Sequence, residues 1–334
     1  MSAPDVRRPV TEEVRIDHYS AVHLAATRAR DMGVRCGLGG SLPDQAAAAA
    51  SELAGNLDKH ARAGSLFIQP IPLADGLELI AVDRGPGMAD PRRCLTDGYT
   101  TAGTLGTGLG AVERIATELR ISSRVPDGTL VAARISAHPG PLPTGAGMVC
   151  LPAEGEDECG DAAAVHEDAG VRTALVIDGL GHGEAAARAA GRGLRVFHDH
   201  RDEPLSQIMS LLHHALRHTR GAAVGLLRMS PAGTEFCAVG NVRLCVLDPQ
   251  GAHSRMDGRP GIVGWNLPTP HTRRTTVARG QTAVLFSDGI EARWARDPSP
   301  ALLELPAALL PAALGHRHRR LRDDASAISL AGVA

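Results

Sequence analysis

Apolar and polar positions fall into short periodic runs along the chain, and the period changes from one run to the next. Residues 66–72 and 77–83 are strand-length apolar stretches on either side of Asp75-Gly76, which predicts a β-hairpin. Residues 14–17 predict a strand, and 18–32 a helix closing near Gly33. Ser41 is a suitable N-cap, with Asp44 in the first turn, for a helix that continues through an alanine run to about residue 63. A helix over 109–118 follows, then strands over 120–125 and 129–136 around Asp127-Gly128. The order βααββ, glycine-rich loop, αββ predicts helices on one face of a mixed or antiparallel sheet.

The second half has a different pattern. Strand-like runs cover 162–166, 173–178, 222–229, 235–239, 242–247, 282–287 and 325–330, with two helices over 184–198 and 205–219. Many strands and a helical pair predict a β-sandwich with helices packed outside. Between the halves, residues 138–147 hold three prolines and three glycines, a composition that sustains neither helix nor central strand. The expected organisation is a domain over 1–137, a linker over 138–147 and a domain over 148–334.

Composition narrows the function classes. The 334 residues are 43% hydrophobic but only 2% aromatic, so the cores are built from Ala, Leu, Val and Ile. A net charge of -2 gives no basic field for nucleic acid, and the few aromatic rings leave little for bases to stack on. No apolar run reaches the roughly 18 residues of a membrane span, and the first nine residues lack the apolar core of a signal peptide. The six cysteines, at 36, 94, 150, 159, 237 and 245, include no CxxC pair and read as reduced thiols. These features predict a cytoplasmic protein with no nucleic-acid or membrane partner. Of 35 basic side chains, Lys59 alone is lysine.

Lys59 lies close to the first candidate site. Glu52 and Asn56 are four residues apart on the predicted helix and share a face, with Lys59 and His60 one turn on. A carboxylate, an amide oxygen and an ammonium could meet a magnesium nucleotide, although alone they fit a solvated helix face better. Asp83-Arg84-Gly85-Pro86-Gly87 adds an Asp at a strand end beside two glycines, suited to accept from an adenine amino group at close approach. Gly103-Thr104-Leu105-Gly106-Thr107-Gly108-Leu109-Gly110 opens into a helix, and its backbone N–H groups form a phosphate site. Gly128-Thr129 starts the last strand. An E-x-x-x-N helix, a D-x-G-x-G box, a G-x-G-x-G lid and a closing G-T, in this order over about residues 10–136, resemble the GHKL ATPase superfamily. The subtype is similar to the RsbT-like anti-sigma-factor serine kinases. The resemblance implies a GHKL (Bergerat) α/β sandwich. In it Glu52 would be the general base, Asn56 the Mg2+ ligand, Lys59 a phosphate contact and Asp83 the adenine reader. Gly85, Gly87, Gly103, Gly106, Gly108, Gly110 and Thr129 would line the ATP site. His60 departs from the pattern, where an aromatic residue is expected.

The second half places four acidic points at strand edges: Gly160-Asp161, Asp178-Gly179, Ser287-Asp288-Gly289 and Asp323-Asp324. Any one Asp-Gly reads first as a turn. Four together read better as oxygen ligands for two hard divalent cations that activate water. His182 reads as a loop-stabilising residue, and Arg172 and Arg293 are candidate phosphate contacts. Over about 146–332 the pattern resembles the PPM metal-dependent phosphatases, in the SpoIIE-like branch near the RsbX-like feedback phosphatases. That resemblance implies a β-sandwich flanked by helices. One Mn2+ or Mg2+ would be held by Asp161, Asp178 and the Gly179 carbonyl, the other by Asp178, Asp288 and Asp323, with Asp324 the second choice to Asp323.

The whole predicts an α+β, two-domain bacterial switch enzyme. It would combine an ATP-dependent serine/threonine kinase with a metal-dependent phosphoserine/phosphothreonine phosphatase. Its substrates would be STAS-domain antagonists or stressosome scaffold proteins, with sigma-factor regulators among the implied partners. The alternative is a phosphatase whose first domain binds ATP or a partner without transferring phosphate.

Overall fold

The computed structural model describes residues 10–91, 108–138 and 140–333. The chain separates into two compact units that divide after Pro143.

In the first unit, β1 (Glu12–Ile16) leads into α1 (Ser20–Arg35) and α2 (Leu42–His60). Then come β2 (Gly64–Pro70), β3 (Leu77–Val82), α3 (Gly108–Ile115), β4 (Glu118–Arg124) and β5 (Gly128–Ile135). The strands form one sheet in the order β1-β2-β3-β5-β4, every neighbouring pair antiparallel. Alanines let the helices pack closely: Ala25, Ala29, Ala46, Ala49, Ala50 and Ala54 are buried, with Leu66, Ile68, Leu79 and Ala133 of the sheet in the same core. Two local expectations are corrected. Ser41 does stand at the N-cap position of α2, but it has helical φ and ψ and makes no side-chain cap bond; its hydroxyl instead accepts from Gln45 Nε2 at 3.2 Å. The helix stops at His60, three residues early, because Ala61 is extended and Ala63 has φ +50°.

The second unit is a sandwich of two five-stranded sheets. Its strands are β6 (Ala146–Leu151), β7 (Asp161–Asp168), β8 (Val171–Gly179), β9 (Ala222–Ser230) and β10 (Gly233–Val239). They continue with β11 (Arg243–Asp248), β12 (Gly251–Asp257), β13 (Arg273–Thr275), β14 (Thr282–Phe286) and β15 (Ala325–Ala331). One sheet runs β13-β10-β9-β8-β7, the other β12-β11-β14-β15-β6. The outer face of the first is covered by α4 (Glu184–His200) and α5 (Leu205–Leu216), where Leu194, Phe197, Ile208 and Leu212 join Leu175, Ile177 and Leu226 in one core. After the single turn α6 (Pro300–Leu303), α7 (Leu310–His318) packs on β6 and β15.

Strand β6 was not expected: it begins at Ala146, inside the stretch predicted as linker. Its glycine serves packing rather than flexibility. A Cβ on Gly147 would stand 2.6 Å from the carbonyl oxygens of Ala307 and Ala308, so only glycine lets the strand lie there.

Candidate functional site

In the second unit, antiparallel pairing gathers the acidic residues. Asp161 starts β7 and Asp178 stands near the end of β8, directly opposite in register. In the other sheet, Asp288 follows the end of β14, while Asp323 and Asp324 precede β15, its antiparallel neighbour. The end of one strand therefore lies beside the start of the next in both sheets.

Asp161 is only 1% exposed. Its Oδ2 accepts from the Ser287 hydroxyl at 2.7 Å and the Ser326 hydroxyl at 2.6 Å. Burial pushes its pKa up to about 7; the two hydroxyls act against this, and the charges of Asp324 and Asp323 add to it. Asp178 lies well above the ordinary carboxylate range, first through burial, then through the charges of Asp161 and Asp288 and a side-chain hydrogen bond with Asp288. Burial also raises Asp323, helped by Asp288 and Asp324 and opposed by Arg320. Burial raises Asp324 too, against its bonds to the Ala153 and Gly160 amides and the Cys159 thiol. The Ala153 amide donates to Asp324 Oδ1 at 3.0 Å.

The two neighbouring acids are thus distinguished by what they face: Asp323 turns to Asp288 and Asp178, Asp324 to the β6 end and Gly160. Among the described residues, no group of three or more His, Cys, Asp or Glu side chains is placed to hold a metal ion. The donor chemistry nevertheless fits hard divalent cations: buried carboxylates raise one another's pKa, and the charge they lack is positive.

His182 Nδ1 meets Glu156 Oε1 at 2.7 Å, tying the loop after β8 to the segment before β7. Arg172 is too distant to contact a phosphate there. It lies at the start of β8, six residues or roughly 20 Å of strand from Asp178, and donates to Glu167 at 2.7 Å. Arg293 is paired with Glu291.

In the first unit, Glu52, Asn56 and Lys59 lie on α2, the first two half-buried and Lys59 exposed. The start of α3 comes against them. A Cβ on Gly108 would lie 3.3 Å from Asn56 Oδ1 and 3.7 Å from Glu52 Oε2, so a larger residue there would crowd both side chains. Asp83 follows β3; its amide donates to the Thr129 carbonyl at 3.0 Å and its Oδ1 accepts from the Gly85 amide at 2.5 Å. Ser123 Oγ shares a hydrogen bond with Thr129 Oγ1 at 2.9 Å and accepts from the Met88 amide at 2.6 Å, which binds the Asp83–Gly87 turn to the sheet. Gly110 is buried within α3. Gly103 and Gly106 lie outside the described residues.

Fold and sites define a two-unit chain, one unit a helix-backed antiparallel sheet with a Glu–Asn–Gly corner, the other a β-sandwich with a buried carboxylate cluster at one end. Residues 169–330 match the family described as Stage II sporulation protein E (SpoIIE). Over 116 residues, 33% of this chain and 86% of the relative, the chain is 38% identical to serine/threonine-protein kinase RsbT of Bacillus subtilis (strain 168). A solved structure described as "The bacterial stressosome: a modular system that has been adapted to control secondary messenger signaling" is 33% identical, with a TM-score of 0.51 over 55% of this chain and 97% of that one. The chain belongs to the RsbT family and carries, in addition, a SpoIIE domain. No helix among the described residues is long and apolar enough to cross a membrane.

The residues that sequence reasoning missed are the supports. Ser287 and Ser326 hold Asp161, and Ser123 holds the Asp83–Gly87 turn. Adjacency was the only available signal, since Ser287 precedes Asp288 and Ser326 follows the Asp323-Asp324 pair.

Proposed function

We propose that the chain is a bifunctional partner-switching enzyme that phosphorylates serine or threonine on STAS-domain or stressosome scaffold partners and removes such phosphates. The observation that carries the reading is the Asp161–Asp178–Asp288–Asp323 cluster, formed where antiparallel strand ends meet. Asp161 and Asp178 with the Gly179 carbonyl would hold one Mg2+ or Mn2+, and Asp178, Asp288 and Asp323 the second. Bound divalent cations would supply a water of lowered pKa and neutralise phosphate charge. The chain's own part is orientation: Ser287 and Ser326 fix Asp161, and the Ala153 amide fixes Asp324 beside the cluster.

In the first unit, Glu52 would take the proton from a partner hydroxyl, and Asn56 would present its amide oxygen to the Mg2+ of ATP. Lys59 and the backbone around Gly108 would meet the phosphates, and Asp83 would accept from adenine. The likeness to RsbT supports this half, and the SpoIIE domain supports the other.

Two assays test the reading on the full chain. With Mn2+ or Mg2+, aryl phosphate hydrolysis should fall at least ~100-fold in Asp178→Asn and vanish with chelator. Retained hydrolysis in that variant would overturn the metal site. With labelled ATP and a STAS protein, wild type should transfer label and Glu52→Ala should lose it by ~100-fold or more. Nucleotide binding without label in wild type would instead establish a non-catalytic ATP module.

A further inference from the structure

Beyond the bound cations, the outer oxygens of a phosphate call for a directional side-chain donor, and neither Arg172 nor Arg293 provides one. The α5–β9 connection does. Arg220 Nη1 lies 2.9 Å from where a Cβ on Gly181 would stand, over the loop that follows β8. The carbonyl of Gly181 in turn lies 3.3 Å from the equivalent point on Gly160, the residue before Asp161. Arg220 is exposed and makes no ion pair or hydrogen bond among the described residues.

The backbone on either side of Arg220 is fixed. Leu180 donates its amide to the Gly221 carbonyl at 3.1 Å, and Ala222 exchanges two backbone bonds with Val263, at 3.0 and 2.9 Å. That second tie brings up the loop carrying Trp265, whose indole Nε1 donates to the Thr219 carbonyl at 3.2 Å. Trp265 is 63% exposed, whereas the four phenylalanines and Trp294 are buried. In the second unit, whose phenylalanines and other tryptophan are buried, one large ring is held at the surface beside a free guanidinium, both joined to the loop after β8.

We propose that Arg220 grips the phosphate of a phosphoserine or phosphothreonine protein at the acidic cluster, and that Trp265 anchors the polypeptide around it. The proposal rests on the phosphatase reading and adds its substrate-recognition residues. A guanidinium offers two parallel N–H donors to phosphate oxygens that the cations leave free. An exposed, tethered indole loses little entropy on docking and supplies apolar contact area next to that charge.

The test uses the full chain with Mn2+ and the variants Arg220→Ala, Arg220→Lys and Trp265→Ala. The probes are inorganic phosphate by equilibrium titration, an aryl phosphate and a phosphoserine peptide. Arg220→Ala should weaken inorganic phosphate binding about 10- to 100-fold and raise KM for both substrates, with Mn2+ affinity unchanged. Arg220→Lys should recover part of the loss. Trp265→Ala should raise KM for the peptide about 10-fold and leave the aryl phosphate unaffected. Unchanged phosphate affinity in Arg220→Ala overturns the arginine assignment, and unchanged peptide KM in Trp265→Ala overturns the anchor. Arg220-dependent phosphate binding by a wild type that hydrolyses neither substrate sustains the anion site and overturns the phosphatase reading.

Discussion

His213 holds the Trp265 loop through one hydrogen bond: its Nδ1 accepts from the Gly264 amide at 3.0 Å. Only the neutral ring with Nδ1 unprotonated can do this. Three influences keep it neutral. Partial burial lowers its pKa below 6.5, and the neighbouring Arg217 and His214 lower it further. The unfolded chain therefore takes up this proton first as pH falls. The residue's contribution to stability is fully present above 6.5 and is lost as pH drops through the lower folded value. We expect the melting temperature of wild type to exceed that of His213→Ala at pH 7.5, with the gap closing by pH 5. His213→Gln, which retains an acceptor, should lack that pH dependence. A gap of the same size at both pH values would show that Gly264 does not depend on the neutral ring.

At the scale of elements, the sheet of the first unit carries a polar ladder across four of its five strands. In register, Gln69 of β2 faces Glu78 of β3, which faces Arg134 of β5, which faces Glu118 of β4. Thr11 donates to Gln69 at 2.8 Å, Gln69 to Glu78 at 2.9 Å and Arg134 to Glu78 at 2.6 Å, the last pair almost wholly buried. Arg134 also donates to the Pro143 carbonyl at 2.7 Å. Removing one partner would strand a buried charge, so Glu78→Ala should cost about 3–5 kcal/mol in urea titration. Combining Glu78→Leu with Arg134→Met removes both charges together and should recover most of the loss. A single variant no weaker than the pair would contradict this account. The apolar runs over 77–83 and 129–136 and their Asp-Gly turns made both strands legible, yet nothing in them gives register, so the Glu78–Arg134 pair was invisible. The same limit explains the acidic site. Asp161, Asp178, Asp288 and Asp323 stood out because Asp and Gly punctuate strand ends. Ser326, Arg220 and Trp265 did not, because antiparallel pairing and loop ties bring them in from distant parts of the chain.

Across the whole molecule, two opposed chemistries on one chain would impose a stoichiometric consequence. If the Glu52 unit adds phosphate to a STAS partner and the Asp178 unit removes it, the phosphate found on the partner measures the ratio of two rates. ATP consumption then measures their cycling. Wild type given excess ATP, Mg2+ and Mn2+ should continue to form ADP after partner phosphate has reached its plateau. Asp178→Ala should raise that plateau and stop ADP formation once each site is filled, because nothing reopens it. Glu52→Ala should leave the partner unlabelled, while still dephosphorylating a partner phosphorylated beforehand. Partner phosphate and ADP measured together over time separate these outcomes. Equal plateaus in all three proteins would overturn the opposition, and with it the reason for reading the acidic cluster and the Glu52 corner as two ends of one switch.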